Sequence, residues 1–479
     1  MQDNVASPLI GSANSRIAPA LGLSARLARR LGLDKSVFFT LLNRGWGLLN
    51  GVVTISLVVT FFSSEVQGYY YTFLSLLMMQ SLLEFGFGVV LVQFVSHECA
   101  HLEVKTTGSI VGEFSTRRRL ETLINLALKW YLGLSVVFFC GLGCFGQWLL
   151  KPSVTGVDVY RPWWLLCVGV GLSVAAVPLR CFLEGSNQVF RSQKIALIAG
   201  VVAGIAGWSA ILMGAKLYAL TVVSIITAAV NLCLMIPSCW PFLKMFRWNS
   251  RNIRGGISWR QEFWPQQWRI GLSWLSGYLM YQSFVPIAFR EQGAVIAGQL
   301  GVTLQIYNAV NLMAGSFLTA AGPRMGILGA RKDYDGLKQL VRRTWLQCFG
   351  LATVFSAGVV IILTALGSLQ MPQVKRFAPL SVTLLFLFVV ISQQLANVET
   401  TAVRFQKKDP FVVNSLVGAL LILVCNIWIG KSFGLAGVSL GFAIIMAGCL
   451  LPWCHHIYSA FLRKHFQGQP LLTNSTNSN

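Results

Sequence analysis

Residues 97–101 read HECAH, a pattern whose residue types and spacing could do hydrolytic chemistry. On a helix, His97 and His101 lie one turn apart on the same face, where two imidazoles can share a zinc ion. Glu98, beside the first histidine, could act as general base to a zinc-bound water. This pattern is typical of zinc metalloproteases, so the elements that carry it must decide whether the chemistry applies here.

The composition places the motif in a membrane protein. The chain has 479 residues, of which 55% are hydrophobic and 11% are charged, whereas soluble domains carry about 25% charged residues. Apolar runs of about 20 residues, each enough to cross a bilayer core, recur along the whole length. We therefore predict an all-α polytopic membrane protein with about twelve transmembrane helices, the second of them spanning 68–96.

The net charge of +22 would indicate a nucleic-acid partner in a soluble protein. Here the positive residues gather in alternate loops, so we expect no nucleic acid. The positive-inside rule then places both termini in the cytoplasm and makes the span count even. The positive loops contain Arg117–Arg119, Arg191, Lys194, Lys244, Arg247, Arg251, Arg254, Arg260, Arg331, Lys332, Lys338, Arg342, Arg343, Arg404, Lys407 and Lys408.

The order of apolar and basic stretches predicts the domain organisation. It consists of a basic amphipathic cytoplasmic arm (1–35), an N-lobe of six spans (36–243), a cytoplasmic linker (244–267), a C-lobe of six spans (268–460) and a polar cytoplasmic tail (461–479). The eleven cysteines lie almost all in apolar runs, where a cysteine is usually a small hydrophobe. We expect no disulfide framework, bound metal or cofactor.

The two lobes resemble one another. FLEGSNQVFRSQK (182–194) ends the fourth span and NVETTAVRFQKKD (397–409) ends the tenth, with Glu184 and Glu399 at matching places. Two sets of six spans in the same orientation indicate a parallel repeat, with a pseudo-two-fold axis along the membrane normal. Transporters built this way bind substrate between the halves and rock them to alternate access.

Two charged residues fall inside predicted spans, where a charge is costly and usually faces a cavity or another charge. Arg44 lies about two turns into the first span and Glu84 near the middle of the second. Two interpretations remain open. The residues could form a structural ion pair that locks the hairpin. Alternatively, Arg44 could meet an anionic group in a lumen while Glu84 carries a proton or a coupling cation.

Other polar side chains concentrate in the first, second, seventh and eighth spans, which are repeat-equivalent pairs. The further substrate-binding candidates are Asn50, Gln80, Gln282, Gln305, Asn308, Arg269 and Arg290. The alternative explanation is that these side chains form interhelical hydrogen bonds, worth about 0.6–2 kcal/mol each. The same alternative applies to Asn311, which lies on the same helix face as Asn308. A wide polar lumen with a few cations would suit a bulky, hydroxyl-rich, anionic substrate.

A family resemblance points the same way. EVQGYYYTFLSLLMMQSLLEFGFGVVLVQFVSHE resembles the start of bacterial polysaccharide flippases, the O-antigen and capsule unit translocases of the multidrug/oligosaccharidyl-lipid/polysaccharide (MOP) exporter superfamily. ISWRQEFWPQQWRIGLSWLSGYLMYQSFVPIAF resembles the linker and seventh span of a lipopolysaccharide-biosynthesis branch. The resemblance covers residues from about 37 to 460, with diffuse motifs.

The resemblance implies a two-lobed flippase of the bacterial inner membrane. It would move a polyprenyl-pyrophosphate-linked oligosaccharide from the cytoplasmic to the periplasmic leaflet for surface polysaccharide assembly. Among the cations, Arg44 is the best match for contacting the pyrophosphate, followed by Arg269 and Arg290. The implied partners are the lipid-linked oligosaccharide, membrane lipids and the polysaccharide polymerase machinery, and we expect a monomer. An ion-coupled drug exporter of the same superfamily is the alternative.

The sequence around HECAH favours a non-catalytic role. The motif falls at the cytoplasmic end of the second span, and a zinc site needs a third protein ligand. Glu121, the nearest candidate, follows Arg117–Arg119, whose charge would repel a cation. We therefore expect His97, Glu98 and His101 to form a polar helix end at the headgroups, with no catalytic residues and no enzyme activity. A membrane zinc protease is kept as a remote alternative. No P-loop is visible, so any coupling would use an ion gradient.

Overall fold

The computed structural model describes residues 35–104, 110–150, 156–246, 258–404 and 410–466. The predicted arm, apart from Lys35, and the tail beyond Phe466 lie outside the described residues. Part of the predicted linker, 247–257, also lies outside them.

The first half of the chain forms nine helices in its described part. They are α1 (Lys35–Phe61), α2 (Ser64–Leu77), α3 (Gln80–Glu84), α4 (Phe87–Cys99), α5 (Phe114–Leu149), α6 (Tyr160–Gly185), α7 (Val189–Leu212), α8 (Tyr218–Ser238) and α9 (Trp240–Leu243). Two short antiparallel strands, β1 (Leu102–Val104) and β2 (Ile110–Gly112), connect α4 to α5. The hydropathy pattern did not predict this small hairpin.

The second half begins with a π-helical turn, Trp259–Phe263, that leads directly into the first C-lobe helix at Trp264. The C-lobe helices are α10 (Trp264–Tyr281), α11 (Phe284–Gln292), α12 (Ala294–Ala314), α13 (Ser316–Ala330), α14 (Tyr334–Ser368), α15 (Leu380–Arg404), α16 (Val412–Ala443) and α17 (Leu451–Phe466). A 3₁₀ turn, Pro372–Arg376, joins α14 to α15, and a π-helical turn, Ile444–Leu450, joins α16 to α17.

These helices cross the membrane twelve times, as predicted. In the described part of the chain, 8 helices are long and apolar enough to cross, and α2–α3 with α4 form a further span bent by 47°. The run Val412–Lys464 makes two passes, because it reverses at Gly434, where φ is 61°. The pairs α10–α11 and α12–α13 each make one more pass, and each is broken near its middle.

The second pass differs from the single helix expected over 68–96. Phe85 and Gly86 have φ values of 47° and 73°, in the left-handed region, and they separate α3 from α4. Glycine adopts this conformation readily, but a phenylalanine does so only when its surroundings hold it there. The ring of Phe85 packs on Gly271 and stacks with Trp264, so contacts with the other lobe account for the break.

The two lobes are built alike around repeat-equivalent central helices. In the N-lobe, α6 packs against α4, α5 and α8, and in the C-lobe α15 packs against α12, α14, α16 and α17. These are the fourth and tenth passes, which carry Glu184 and Glu399. We call the side of the bundle that holds Lys35 and Phe466 the termini end, and the side with the α1–α2 and α11–α12 turns the far end.

Candidate functional site

The lobes are in close contact at the far end. A Cβ placed on Gly68 of α2 would lie 1.9 Å from the carbonyl oxygen of Ala294 in α12, and one on Gly298 would lie 2.9 Å from the nitrogen of Gly68. The neighbouring Gln67 donates from Nε2 to the carbonyls of Gly298 (3.1 Å) and Arg376 (3.0 Å). Backbone therefore meets backbone across the lobe boundary, with no space for side chains.

Side chains around the contact between α2 and α12 also join the two lobes at the far end. Arg376 donates to the hydroxyl of Ser64 at 2.8 Å. The guanidinium of Arg290 lies 4.1 Å from the ring centre of Trp148, within cation–π range. Arg290 was predicted to bind substrate, and the structure places it in this inter-lobe contact, where it helps seal the far end.

The lobes also meet along one flank of the bundle, where α3 and α4 face α10. A Cβ on Gly271 would lie 2.3 Å from the ring of Phe85, and one on Gly86 would lie 2.5 Å from the side chain of Ile270. Further toward the termini end, the Phe87 and Phe263 rings are 4.6 Å apart. This flank is closed.

The opposite flank, between α1 and α13, is accessible. Arg44 on α1 is exposed, as are Asn308, Leu312 and Ser316 where α12 gives way to α13. Helix α13 packs against α14 and α15 of its own lobe. The cleft between the lobes is therefore sealed at the far end and along one flank, and open along the other flank toward the termini end.

The main cavity on the N-lobe side of this cleft has a volume of about 460 Å³, and Gln305 is the one described C-lobe residue that lines it. Its polar lining includes Asn43, Asn50, Thr54, Thr227 and Gln305, and its aromatic lining includes Trp46, Tyr70, Tyr71 and Trp208. Trp208 is held by a hydrogen bond from its Nε1 to the Thr54 hydroxyl at 3.0 Å. Gly200, Gly204 and Gly207 of α7 also line the cavity, and the small residues leave the space that the rings border.

A second cavity of about 360 Å³ adjoins the first, since both are lined by Leu74, Met78, Leu220, Val223 and Thr227. Gln80, Ser81 and Glu84 also line it. Glu84 is buried and accepts a hydrogen bond from Gln80 Nε2 at 3.0 Å. Amides and hydroxyls thus line both cavities on the N-lobe side of the cleft, together with one acid, and the cavities meet at a mostly apolar boundary.

Arg44 is exposed at the mouth of the main cavity. Gly51 and Ile55 follow it by seven and eleven residues, so the three share one face of α1. Both line the main cavity. Among the described residues, no ion pair joins Arg44 to Glu84, and the hairpin is not locked by the pair that one interpretation invoked.

The structure separates the other predicted residues. Asn50, Gln80, Glu84 and Gln305 come together along the two cavities, and exposed Asn308 lies about one turn beyond Gln305. Asn311, by contrast, accepts hydrogen bonds from Gln394 (3.1 Å) and Asn397 (3.3 Å) and serves helix packing. Gln282 is half-buried at the end of α10. The side chain of Arg269 lies outside the described residues.

Glu98 of HECAH is engaged by an arginine. Its buried carboxylate accepts from Nε of Arg119 at 2.9 Å, and Nη2 of Arg119 donates to Glu262, also at 2.9 Å. His97 is 77% exposed, and the described part of the chain contains no group of three His, Cys, Asp or Glu side chains that could hold a metal. The motif ends α4 and ties it to α5 and to the π-helical turn before α10.

The backbone N–H of Ser258, followed by the Arg119 guanidinium, holds the pKa of Glu262 below its ordinary value. The N–H of Ser258 donates to Oε1 of Glu262 at 3.1 Å, so the two oxygens of this carboxylate have separate donors. Glu262 therefore stays ionised at neutral pH as the outer carboxylate of the Glu98–Arg119–Glu262 bridge.

Two contacts between ionisable side chains near the ends of spans were not predicted. Arg180 pairs with Glu184 at 3.3 Å within α6. In the C-lobe, the buried carboxylate of Glu399 lies 2.6 Å from Nδ1 of His455 in α17. The matching positions of Glu184 and Glu399 in the repeat were a signal for both, because a carboxylate retained at one place in each half needs a partner in the membrane.

No protein-family model matches the chain, and no curated protein matches it by sequence. Solved structures do match. One is an inward-facing multidrug resistance MATE family transporter of the MOP superfamily, with 14% identity, 88% of this chain and 95% of that chain covered, and a TM-score of 0.57. Another is the lipid II flippase MurJ in an inward closed conformation, with 13% identity, 90% of each chain covered and a TM-score of 0.58.

The MATE multidrug transporter DinF-BH also matches, with 17% identity, 94% and 98% of the two chains covered and a TM-score of 0.52. The chain shares the fold of these three solved transporters. This confirms the predicted all-α architecture of two six-helix lobes. In this fold, the broken second, seventh and eighth passes all border the cleft, together with the unbroken first pass.

Proposed function

We propose that the protein translocates a polyprenyl-pyrophosphate-linked oligosaccharide between the two leaflets of the bacterial inner membrane by alternating access. The shape of the cleft carries the proposal. A cleft that carries amide and hydroxyl side chains and is open along one flank can hold the glycan while the polyprenyl chain extends through the open flank into lipid. The likeness in fold to a lipid II flippase supports the same class of substrate.

The lining of the cavity suits a sugar. Asn50 and Gln305 offer amide donors and acceptors to hydroxyl groups. Trp46 and Trp208, whose ring centroids are 5.5 Å apart, present flat apolar faces with polar edges. Arg44 at the mouth would bind the pyrophosphate, because a guanidinium forms paired hydrogen bonds with phosphate oxygens.

Transport would follow from rocking the lobes about the cleft. In the opposite state, the Gly68–Ala294 and Arg290–Trp148 contacts would separate and the termini end would close. The positive-inside rule predicts that the termini end faces the cytoplasm, so the substrate would move toward the periplasm for assembly of lipopolysaccharide, capsule or exopolysaccharide. Glu84 would carry a proton or coupling cation. We propose a monomer that supplies the polymerase machinery.

The test is leaflet-specific transfer of a labelled polyprenyl-pyrophosphate oligosaccharide in proteoliposomes. Wild type is compared with Arg44→Ala and with Arg463→Ala, which removes an exposed charge at the same end. We expect transfer by wild type and by Arg463→Ala, and at least about a tenfold loss for Arg44→Ala. No transfer by folded wild type would overturn the proposal, and full transfer by Arg44→Ala would remove Arg44 from the pathway.

Export of a small organic cation is the second candidate. Among the described residues, Glu84 is the one charged side chain that lines the two cavities, and a buried carboxylate attracts a cation. The likeness in fold to two MATE multidrug transporters favours the same class. Uptake of a cationic dye into inverted vesicles, lost in Glu84→Gln, together with no glycolipid transfer, would establish this function instead.

A further inference from the structure

A basic groove lies on the C-lobe at the termini end, between α13 and α14. It encloses about 780 Å³ and is lined by Arg324 of α13, by Gln339, Arg342, Arg343 and Gln347 of α14, and by Asp333 just before α14. None of these residues lines the two cavities of the cleft. The groove is therefore a site separate from the translocation path.

The positive charge of the groove exceeds the negative charge, with three arginines and one aspartate among the described residues that line it. Arg324, Arg342 and Arg343 form no ion pair with any described carboxylate. Asp333 is the one carboxylate that lines the groove, and its Oδ1 accepts from the backbone N–H of Gly336 at 2.8 Å as the N-cap of α14. Three guanidinium groups thus face one groove with their donors available.

Exposed apolar residues extend the arginine-bearing faces of α13 and α14 toward the middle of the membrane. Phe317 precedes Arg324 by seven residues and Val354 follows Arg343 by eleven, so each lies on the same helix face as its arginine. Phe317 is 42% exposed and Val354 is 66% exposed. Exposed apolar side chains on membrane-spanning helices face lipid. Each of the two helices therefore carries a groove arginine and, on the same face but closer to the membrane centre, an apolar side chain. We call Phe317 and Val354 the apolar strip.

We propose that this groove binds an anionic phospholipid. Its phosphate would be held by Arg324 and Arg343 from the two sides of the groove, and an acyl chain would lie along Phe317 and Val354. Basic pockets between membrane helices bind lipid headgroups in this way, and arginine binds phosphate through paired hydrogen bonds. The apolar strip selects a lipid over a free anion, because a soluble phosphate has nothing to place there.

The experiment measures lipid retained by the purified full-length protein, using native mass spectrometry after exchange into phosphatidylglycerol or phosphatidylcholine. The groove variant is Arg324→Gln with Arg343→Gln. The control, Lys338→Gln with Arg463→Gln, removes the same charge from exposed positions outside the groove. We expect wild type and control to prefer phosphatidylglycerol by about tenfold, and the groove variant to lose that preference.

Equal loss in groove variant and control would show attraction to general surface charge and overturn the proposal. So would inorganic phosphate at millimolar concentration displacing the lipid, because the site would then take a free anion. If the double variant does not elute as a folded species, Arg324→Gln alone is compared with Lys338→Gln. The proposal does not depend on the transported substrate, so it can fail or hold independently of the flippase proposal.

Discussion

Gly68 lies against the backbone of Ala294 across the boundary between the lobes. A Cβ on Gly68 would come within 1.9 Å of the Ala294 carbonyl oxygen, and that oxygen cannot move without shifting α12. The closed far end therefore depends on the absence of a side chain at this position.

We expect Gly68→Ala to open the far end. Overpacking of this kind costs about 1–3 kcal/mol, enough to shift a two-state equilibrium between lobe arrangements by about five- to 150-fold. The readout is cross-linking of cysteines introduced for Trp148 and Arg290, which are in contact when the far end is closed. Cross-linking should fall in the Gly68→Ala background.

Gly133→Ala is the matched control, because a Cβ at Gly133 meets nothing within 4 Å. Its cross-linking should equal that of the parent. Unchanged cross-linking in Gly68→Ala would mean that α2 and α12 relax without separating the lobes.

The architecture was predictable because the signals for it are local. Apolar run length and the distribution of basic loops give the passes and their pairing into lobes. The breaks were not predictable in the same way. Phe85 adopts a left-handed conformation because Trp264 and Gly271, far away in sequence, pack on its ring. A window over residues 68–96 contains no information about that contact.

Part of the lining of the candidate site was predictable, because polarity alone marks it. Asn50, Gln80, Glu84 and Gln305 stood out as polar residues in apolar helices, and they do line the cavities. The pairings were not predictable. Arg119 joins Glu98 to Glu262, and Glu262 lies 143 residues after Arg119 in the sequence. The role of Glu98 is therefore visible only after folding.

Arg119→Gln should destabilise the protein. The variant leaves the Glu98 carboxylate, whose side chain is 4% exposed, without its charged partner. An unpaired buried charge of this kind costs about 1–3 kcal/mol or more. The midpoint of thermal unfolding in detergent should fall by several degrees, whereas Arg117→Gln, which changes an exposed neighbour, should leave it unchanged. Equal midpoints for both variants would show that the bridge adds no stability.

Glu262 gives the same bridge a pH dependence. Because its folded-state pKa lies below the ordinary value of 4.5, its contribution is complete above that value and is lost as pH falls through the folded pKa. The side chain is 37% exposed, so we expect an effect below about 1 kcal/mol. The midpoint difference between wild type and Glu262→Gln should be largest near neutral pH and shrink in acid. A difference that does not vary with pH would contradict this assignment.

The Glu399–His455 contact should contribute to the stability of the fold, although the His455 side chain is 58% exposed. His455→Leu leaves a carboxylate buried in α15, with only 2% of its side chain exposed, and removes its 2.6 Å partner. We expect a loss of about 1–3 kcal/mol in stability. His456→Leu changes an exposed neighbour on the same helix and is the control.

Adding Glu399→Gln to His455→Leu should recover part of the loss, because a neutral amide costs less to bury. No recovery would mean that lost packing of the imidazole causes the defect.

The main cavity can be tested by filling it. A Cβ on Gly204 would lie 2.8 Å from Oδ1 of Asn50 and 3.0 Å from the ring of Trp46, and both are side-chain ends rather than backbone. Gly204→Leu should therefore fold, with these side chains displaced into the cavity. Translocation of the glycolipid should fall by about tenfold or more, the equivalent of about 1.4 kcal/mol or more in the barrier.

Gly141→Leu adds the same volume at an exposed position where a Cβ meets nothing within 4 Å, and it should transport at the wild-type rate. Wild-type transport by Gly204→Leu would place the glycan path outside this cavity. If Gly204→Leu blocks the glycolipid but still transports a small cationic dye, the cavity would admit both substrate classes. The width of the cavity beside Asn50 and Trp46 would then determine which substrate can pass.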